Sequence, residues 1–288
     1  MVRNAFHLPI CLFQLFLCFS LLNVPQVYAD NSLSFGVLNQ RSVIATAEIW
    51  NPILIYVSQK TGVPLTLKMG SVAEETTAMT VRGDFDFAFT NHLFTPERDK
   101  LGFRLIARFN TPGIRGQVVT LETSPYRKLS DLSGKRVSFA NPDGFTGYWV
   151  PMDALLQNNV QVEPVFAGNQ ESAMTRLVMG SVAAAGVNDR AMAQFARREN
   201  LKYRVLWSSE PYVDLAVMAH PRVPMETVEK VRQALIGMAG DTKGQEVLRA
   251  VSDKMKSEKT LAFVAATNDE YDNYRIFYRN TLVKKTSE

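Results

Sequence analysis

The sequence predicts an α/β protein built from two lobes, and three observations indicate this fold class. The chain has 288 residues, a length typical of about two domains. Short apolar strands alternate with helices along most of it, and this alternation starts afresh after Pro112-Gly113. The strand–helix–strand order also predicts largely parallel sheets, in which ligands lie beyond the carboxyl ends of the strands.

The first 29 residues are typical of a secretory signal peptide. Arg3 provides a positive start, an apolar run extends from Leu8 to Leu22, and Val27-Tyr28-Ala29 resembles a cleavage site. The apolar run is shorter than the ~20 residues that a membrane span needs. We therefore expect export and cleavage near Ala29.

Composition excludes several classes of site. Both cysteines, Cys11 and Cys18, lie in the predicted signal peptide, so the mature chain is expected to have no disulfide, thiolate metal site or cysteine nucleophile. The net charge is only +4 and no run of five like charges occurs, which argues against a nucleic-acid partner.

In the first part of the chain, strands and helices alternate. Asn51 can cap a helix that has Pro52 at its first position, and Gly62 and Gly83 stop the two predicted helices. Three phenylalanines at alternate positions favour a buried strand over Phe85–Thr90. The predicted elements are strands Leu33–Leu38, Val63–Met69, Phe85–Thr90 and Arg104–Phe109, and helices Pro52–Thr61 and Val72–Arg82.

The second part repeats this rhythm before the chain returns to the first lobe. Its predicted strands are Gln117–Leu121, Arg136–Ala140, Val162–Phe166, Ala183–Val187 and Tyr203–Trp207, and its helices are Leu129–Leu132 (one turn), Gly147–Gln157, Glu171–Met179 and Arg190–Asn200. The apolar strand Asp214–Ala219 then returns to the first lobe. Helices follow at Met225–Ala239, Lys243–Ala250 and Asp269–Thr281.

This order predicts that the second lobe is inserted into the first. We expect residues 30–113 and 211–288 to form lobe 1 and residues 114–210 to form lobe 2, after a signal peptide over 1–29. The crossing segments Gly116–Val119 and Pro211–Leu215 would act as the hinge. Five loops follow predicted strands and are expected to meet at the site: Asn39–Arg41, Thr90–His92, Asn141–Tyr148, Ala167–Gln170 and Val187–Asp189.

The segment Gly144–Tyr148 is a candidate anion site because it precedes a helix. Free N–H groups at a helix start attract anions, Thr146 adds a hydroxyl donor, and Gly144 and Gly147 permit close approach of the backbone. The alternative is an ordinary helix start with a glycine turn.

Other donors follow strands of the first lobe. Arg41 could supply a counter-charge and Asn91 an amide hydrogen, while His92 could donate as imidazolium or make the site pH-sensitive. The alternatives are a solvated arginine and a structural histidine.

An enzyme is not expected. The sequence has no Gly-x-Ser-x-Gly, His-Glu-x-x-His or phosphate-loop motif. His92 and His220 are the two histidines left after signal removal, too few for a three-histidine zinc site. We expect no cofactor.

Several short stretches, taken in order, resemble the periplasmic phosphate/phosphite/phosphonate-binding proteins of ABC importers, the PhnD-like family. They are Phe35-Gly36-Val37, Gly83–Phe89, Leu129–Val137, Gly147-Tyr148, Phe166-Ala167-Gly168, Phe263-Val264 and Asn268–Tyr271. The resemblance implies a type II periplasmic-binding-protein clamshell, a small oxyanion ligand, an ABC permease as partner, and a monomer in the periplasm.

Departures from the family pattern leave the ligand open. The family's Ser-Thr-Ser-Gly-Tyr loop is Gly144-Phe145-Thr146-Gly147-Tyr148 here, which removes two hydroxyl donors. Asn169-Gln170-Glu171 replaces Ser-His-Asp, and Thr90-Asn91-His92 replaces a loop with Gly-Pro. Phosphate, phosphite, a phosphonate, arsenite or a sulfur oxyanion all remain candidates.

The resemblance also leaves a second role open. Similar domains serve as periplasmic sensors that report a ligand such as arsenite to a membrane histidine kinase, and the Phe145 loop, the Thr90-Asn91 pair and Arg41 are closer to those variants. The ligand-binding residues expected in either role are Arg41, Thr90, Asn91, His92, Gly144, Phe145, Thr146, Gly147, Tyr148, Gln170, Asn188 and Asp214.

Overall fold

Two mixed β-sheets organise the chain. The computed structural model describes residues 1–2 and 32–284, so the predicted signal peptide lies almost entirely outside the described residues. The strands are β1 (Leu33–Val37), β2 (Leu65–Lys68), β3 (Phe87–Thr90), β4 (Arg104–Phe109), β5 (Gly116–Leu121), β6 (Arg136–Phe139), β7 (Glu163–Phe166), β8 (Ala184–Asn188), β9 (Tyr203–Ser208), β10 (Ala216–Ala219) and β11 (Phe263–Ala265).

Helices cover both sheets. They are α1 (Val43–Thr61), α2 (Ala73–Arg82), α3 (Pro96–Asp99), α4 (Val150–Gln157), α5 (Gln170–Val178), α6 (Asp189–Arg198), α7 (Met225–Gly237), α8 (Thr242–Lys254) and α9 (Asp272–Asn280). Most boundaries agree with the sequence predictions to within a few residues. Within residues 1–2 and 32–284, none of the helices combines the length and apolarity that a membrane crossing needs.

The sheets are mixed, so the prediction of largely parallel sheets was wrong. The first sheet has the order β11-β4-β10-β3-β1-β2 and the second β7-β6-β8-β5-β9. β10 is antiparallel to β3 and β4, and β5 is antiparallel to β8 and β9. β5 and β10 come directly after the two crossings. Each starts beside the end of a neighbouring strand, Gly116 beside Asn188 of β8 and Ala216 beside Thr90 of β3, so it runs in the opposite direction.

Helix α1 begins nine residues before the predicted start. Ser42 caps it by accepting a hydrogen bond from the N–H of Ala45, and Pro52 lies inside the helix. A proline there removes one backbone hydrogen bond. The helix continues through it because Trp50 and Ile53 are buried in the core of the first sheet. It ends at the predicted Gly62, whose φ of 71° suits a left-handed cap.

Ile114, just before the first crossing segment, pairs with Tyr212 of the second. The N–H of Ile114 donates to the carbonyl of Tyr212 at 2.7 Å, and the N–H of Tyr212 donates back at 2.8 Å. Arg190 adds hydrogen bonds to the carbonyl of Pro112 and to Asp214. An isolated β-bridge thus joins the two sides of the predicted hinge region, and Arg190 forms a hydrogen bond to each side.

Asp153 ties the end of the chain to α4. Its buried carboxylate accepts hydrogen bonds from the Thr281 hydroxyl and the Leu282 N–H, both at 2.7 Å, and from Gln157 at 2.6 Å. Replacing Asp153 with alanine should lower the free energy of unfolding by about 2 kcal/mol, since the hydrogen bonds to a buried, charged acceptor are lost. Urea denaturation measures this loss. Asp253→Ala, at an exposed position of α8, is the control and should change little. An equal effect of both changes would contradict the role given to Asp153.

Candidate functional site

One cavity of about 240 Å³ lies where the loops of the two sheets meet. It is reached from the carboxyl ends of β1 and β3 in the first sheet and of β6, β7 and β8 in the second. All five loops predicted from the sequence contribute to its lining. The predicted residues that line it are Arg41, Asn91, His92, Gly144, Phe145, Thr146, Gly147, Gln170 and Asn188.

The chain enters α4 through a π-helical turn over Phe145–Trp149. The first hydrogen bond of this turn runs from the N–H of Trp149 to the carbonyl of Gly144 at 3.0 Å. Among the described residues, no acceptor is found for the N–H groups of Phe145, Thr146 and Gly147, and these three residues are buried. Because a buried N–H without a partner is unfavourable, the turn presents donors suited to an anion.

Thr146 adds a hydroxyl donor beside these amides. Asn188 donates from Nδ2 to Thr146 Oγ1 at 3.2 Å, and the Asn188 Oδ1 caps α6 by accepting from the N–H groups of Arg190 and Ala191. Since Oγ1 already accepts one hydrogen bond, its own hydrogen can point to a ligand in the cavity.

Gln170 approaches the same turn. Its Oε1 accepts from the N–H of Asn188 at 3.1 Å, which leaves the Nε2 hydrogens for other partners. A Cβ at Gly147 would lie 2.0 Å from Gln170 Nε2, so a side chain at position 147 would displace this amide. The glycine therefore allows the backbone and the amide to lie side by side.

Arg41 brings a positive charge to the cavity from the first sheet. Its guanidinium is partly buried, and no group among the described residues is in hydrogen-bond or ion-pair contact with it. Burial lowers the pKa of Arg41 below its ordinary value, and the negative charge of Asp214 partly offsets this. An arginine remains protonated at neutral pH. Arg41 is therefore a cation that has no direct partner among the residues that the structure describes.

The imidazolium form considered for His92 is disfavoured by burial. Burial lowers the pKa of His92 to about 4, a shift that the nearby Asp143 opposes and Arg98 reinforces. The ring is therefore neutral near pH 7. Asn91, next to it, is buried and donates from Nδ2 to the Tyr274 hydroxyl at 3.3 Å.

Three predicted residues do not line the cavity. Thr90 Oγ1 accepts from the N–H of His92 and shapes the loop. The Tyr148 ring packs against the second sheet's core, where burial raises its pKa. Asp214 pairs with Arg190 at 2.7 Å.

Phe145 lines the cavity but does not replace a donor there. It is 1% exposed, and its ring stacks on Tyr274 of α9 at 4.1 Å and meets Tyr212 edge-on at 4.7 Å. The side chain therefore anchors the turn, and the backbone of the turn remains available for binding.

Sequence reasoning missed several charged residues of the lining. Arg190 and Arg198 on α6 and Glu171 on α5 border the cavity. Arg190 is engaged by Asp214, and Arg198 by Glu171 at 2.6 Å. Charged residues on amphipathic helices carry no local signal that distinguishes a cavity wall from a solvated face. No group of three or more metal-ligating side chains occurs within the described ranges.

Comparison with known proteins identifies the family. The model of the periplasmic substrate-binding proteins of ABC phosphonate transporters matches residues 35–271. The chain belongs to this family. This membership confirms the resemblance and makes the protein a periplasmic substrate-binding component of an ABC transporter, whose partners are a small-molecule ligand and a permease. The sensory alternative has no support from the match.

Solved structures of phosphonate transporter components share the fold of this family member. A binding protein component of an ABC phosphonate transporter from Pseudomonas aeruginosa has a TM-score of 0.71 at 18% identity, with 85% of each chain covered. PhnD1 from Prochlorococcus marinus, in complex with methylphosphonate, has a TM-score of 0.71 at 14% identity, with 86% of this chain and 97% of that chain covered.

A sulphonate-binding protein shares the fold as well. The periplasmic aliphatic sulphonate-binding protein SsuA from Escherichia coli has a TM-score of 0.56 at 13% identity, covering 88% of this chain and 94% of its own. These likenesses confirm the predicted type II periplasmic-binding-protein fold. No curated protein sequence matches the chain.

Proposed function

We propose that this protein captures a small tetrahedral oxyanion of the phosphonate class in the 240 Å³ cavity and delivers it to an ABC permease. The observation that carries the proposal is the convergence of Arg41 with the free N–H groups of Phe145, Thr146 and Gly147 on one cavity. A relative of the same fold holds methylphosphonate. Donors from backbone and side chains, with one cation, suit the oxygens of such a ligand.

The cavity also suits a ligand with an apolar substituent. Three apolar side chains, Leu38, Ile114 and Met174, line the same cavity as the polar donors. A phosphonate or phosphite carries three oxygens and one apolar group, and can satisfy both kinds of surface.

The proposed mechanism is capture followed by lobe closure. Arg41 belongs to the segment proposed as lobe 1 (30–113 with 211–288), whereas Thr146 belongs to proposed lobe 2 (114–210). Arg98 and Asp143, one from each, form an ion pair at 2.9 Å with both side chains mostly buried. A ligand held by both lobes stabilises the closed form by its greater affinity for that form. The paired segments at Ile114 and Tyr212 would flex.

Finer parts of the proposal concern the mature protein. The mature protein is proposed to form by cleavage of a signal peptide near Ala29. It would act as a monomer that needs no cofactor, catalyses no reaction and binds no nucleic acid. The residues proposed to touch the ligand are Arg41, Asn91, His92, Gly144, Phe145, Thr146, Gly147, Gln170 and Asn188. Thr90, Tyr148 and Asp214 are proposed to support the site without touching the ligand.

Thermal unfolding with phosphate, phosphite, methylphosphonate and sulfate tests the proposed function. An anion present at 100 times its Kd should stabilise the protein by about 2.7 kcal/mol. Isothermal calorimetry then gives the Kd. If none of the four anions stabilises the protein at millimolar concentration, the proposal is overturned.

Thr146→Ala should weaken binding of the best of these anions about tenfold, because one hydrogen bond to a charged oxygen is lost. Thr146→Ser retains the hydroxyl and is the matched control, with a Kd close to that of the unchanged protein. Equal Kd values for the alanine variant and the unchanged protein would place the anion elsewhere.

A further inference from the structure

His92 is held on three sides by contacts that fix its position. Its backbone N–H donates to Thr90 Oγ1 at 3.0 Å, and its backbone carbonyl accepts from Arg98 Nη1 at 3.0 Å. Its ring Nδ1 lies 2.9 Å from Thr77 Oγ1. Within the described ranges, Nε2 is the hydrogen-bonding group of this residue that has no partner. His92 lines the cavity, so this nitrogen is the one available to a ligand.

The contact with Thr77 decides which ring nitrogen carries the hydrogen. Thr77 lies on α2, is 2% exposed, and its hydroxyl has no other hydrogen-bond partner among the described residues. If Nδ1 carried the hydrogen and donated to Thr77, the hydroxyl hydrogen would be buried without an acceptor, which is unfavourable. If the hydroxyl donates to Nδ1, both groups are satisfied. In a neutral ring the hydrogen then resides on Nε2.

We infer that Thr77 is a positioning residue that fixes His92 in its Nε2–H tautomer and so makes the ring a neutral donor to the bound oxyanion. The inference about binding rests on the proposed function, whereas the tautomer is a property of the ligand-free protein. The ring would add one more hydrogen-bond donor to those that Arg41 and the turn at Phe145–Trp149 present to the cavity. It would do so without adding a charge, because the ring is neutral.

Nitrogen NMR of the ¹⁵N-labelled ligand-free protein tests the tautomer directly. Long-range proton–nitrogen correlations distinguish a protonated ring nitrogen from an unprotonated one, and a His92→Gln spectrum assigns the His92 signals. We expect a protonated Nε2 and an unprotonated Nδ1 at pH 7. The reverse pattern, or a doubly protonated ring, would overturn the inference.

Thr77→Val tests the role of the hydroxyl with little change in volume. The preference for the Nε2–H form should weaken in the NMR spectrum, and the Kd for methylphosphonate should rise about five- to tenfold. Thr77→Ser keeps the hydroxyl and should restore both readouts, which separates positioning from simple packing. If the valine variant keeps both the tautomer and the Kd, Thr77 does not position His92.

The two levels of inference fail in distinguishable ways. If the unchanged protein shows the Nε2–H form but binds none of the four anions, the proposed function is wrong and the tautomer assignment stands. If it binds methylphosphonate and the valine variant loses the tautomer preference without a change in Kd, the ring is not a ligand donor.

Discussion

Replacing Arg41 with alanine should raise the Kd for the best oxyanion at least a hundredfold. A charge-assisted hydrogen bond contributes about 1.5–3 kcal/mol, and an arginine that contacts two ligand oxygens loses two of them, or about 3–6 kcal/mol. Tenfold in Kd corresponds to about 1.4 kcal/mol. The effect should be the largest of any single side chain because no other group within the described ranges pairs with this guanidinium. Calorimetric titration with methylphosphonate, phosphite and phosphate measures it.

The same change should not destabilise the ligand-free protein. A partly buried cation without a direct partner is a cost to the folded state, so removing it should leave the melting temperature unchanged or slightly higher. Loss of both binding and stability would indicate a structural arginine instead.

Arg198→Gln is the matched control for Arg41. Arg198 borders the same cavity, but its guanidinium is engaged by Glu171 at 2.6 Å and by Glu199 at 2.8 Å. We expect less than about a threefold change in Kd, since the charge is already compensated. Equal losses for the two variants would show that net charge, and not the free guanidinium of Arg41, controls binding.

Replacing Phe145 with alanine should lower the free energy of unfolding by about 3–5 kcal/mol, the usual cost of deleting a fully buried phenylalanine ring. The ring is 1% exposed and contacts Tyr212, Tyr274, Phe277 and Tyr278. Urea denaturation followed by circular dichroism measures the loss. Anion binding should weaken as well, because the turn that presents the N–H donors loses its anchor on α9.

Phe166→Ala controls for loss of an aromatic ring near the site. Phe166 ends β7 and is 39% exposed, although it contacts Tyr148 at 4.9 Å. We expect a loss of about 1 kcal/mol or less. A loss as large as that of Phe145→Ala would mean that the α9 contact has no special role.

Local sequence signals were sufficient to predict which loops line the cavity. Each of the five loops follows a strand whose apolar pattern is evident, and the carboxyl ends of strands in an α/β sheet meet at one edge. The glycine at position 147 was predicted to allow close approach of an anion to the backbone; the structure shows that the Gln170 amide lies close there. The start of α1 was missed because a proline at position 52 reads as a first helical residue, whereas burial of Trp50 and Ile53 compensates for the lost hydrogen bond.

The sequence by itself determined which segments become strands and helices and which loops can reach a ligand, because periodicity, caps and glycines act over a few residues. Only the tertiary structure decided which polar groups stay free. Asp214 and Arg190 satisfy each other, Thr77 meets His92, and Phe145 meets Tyr274 from the far end of the chain. A donor is available to a ligand only when no such distant partner occupies it, and that depends on packing between segments whose separation along the chain carries no local signal.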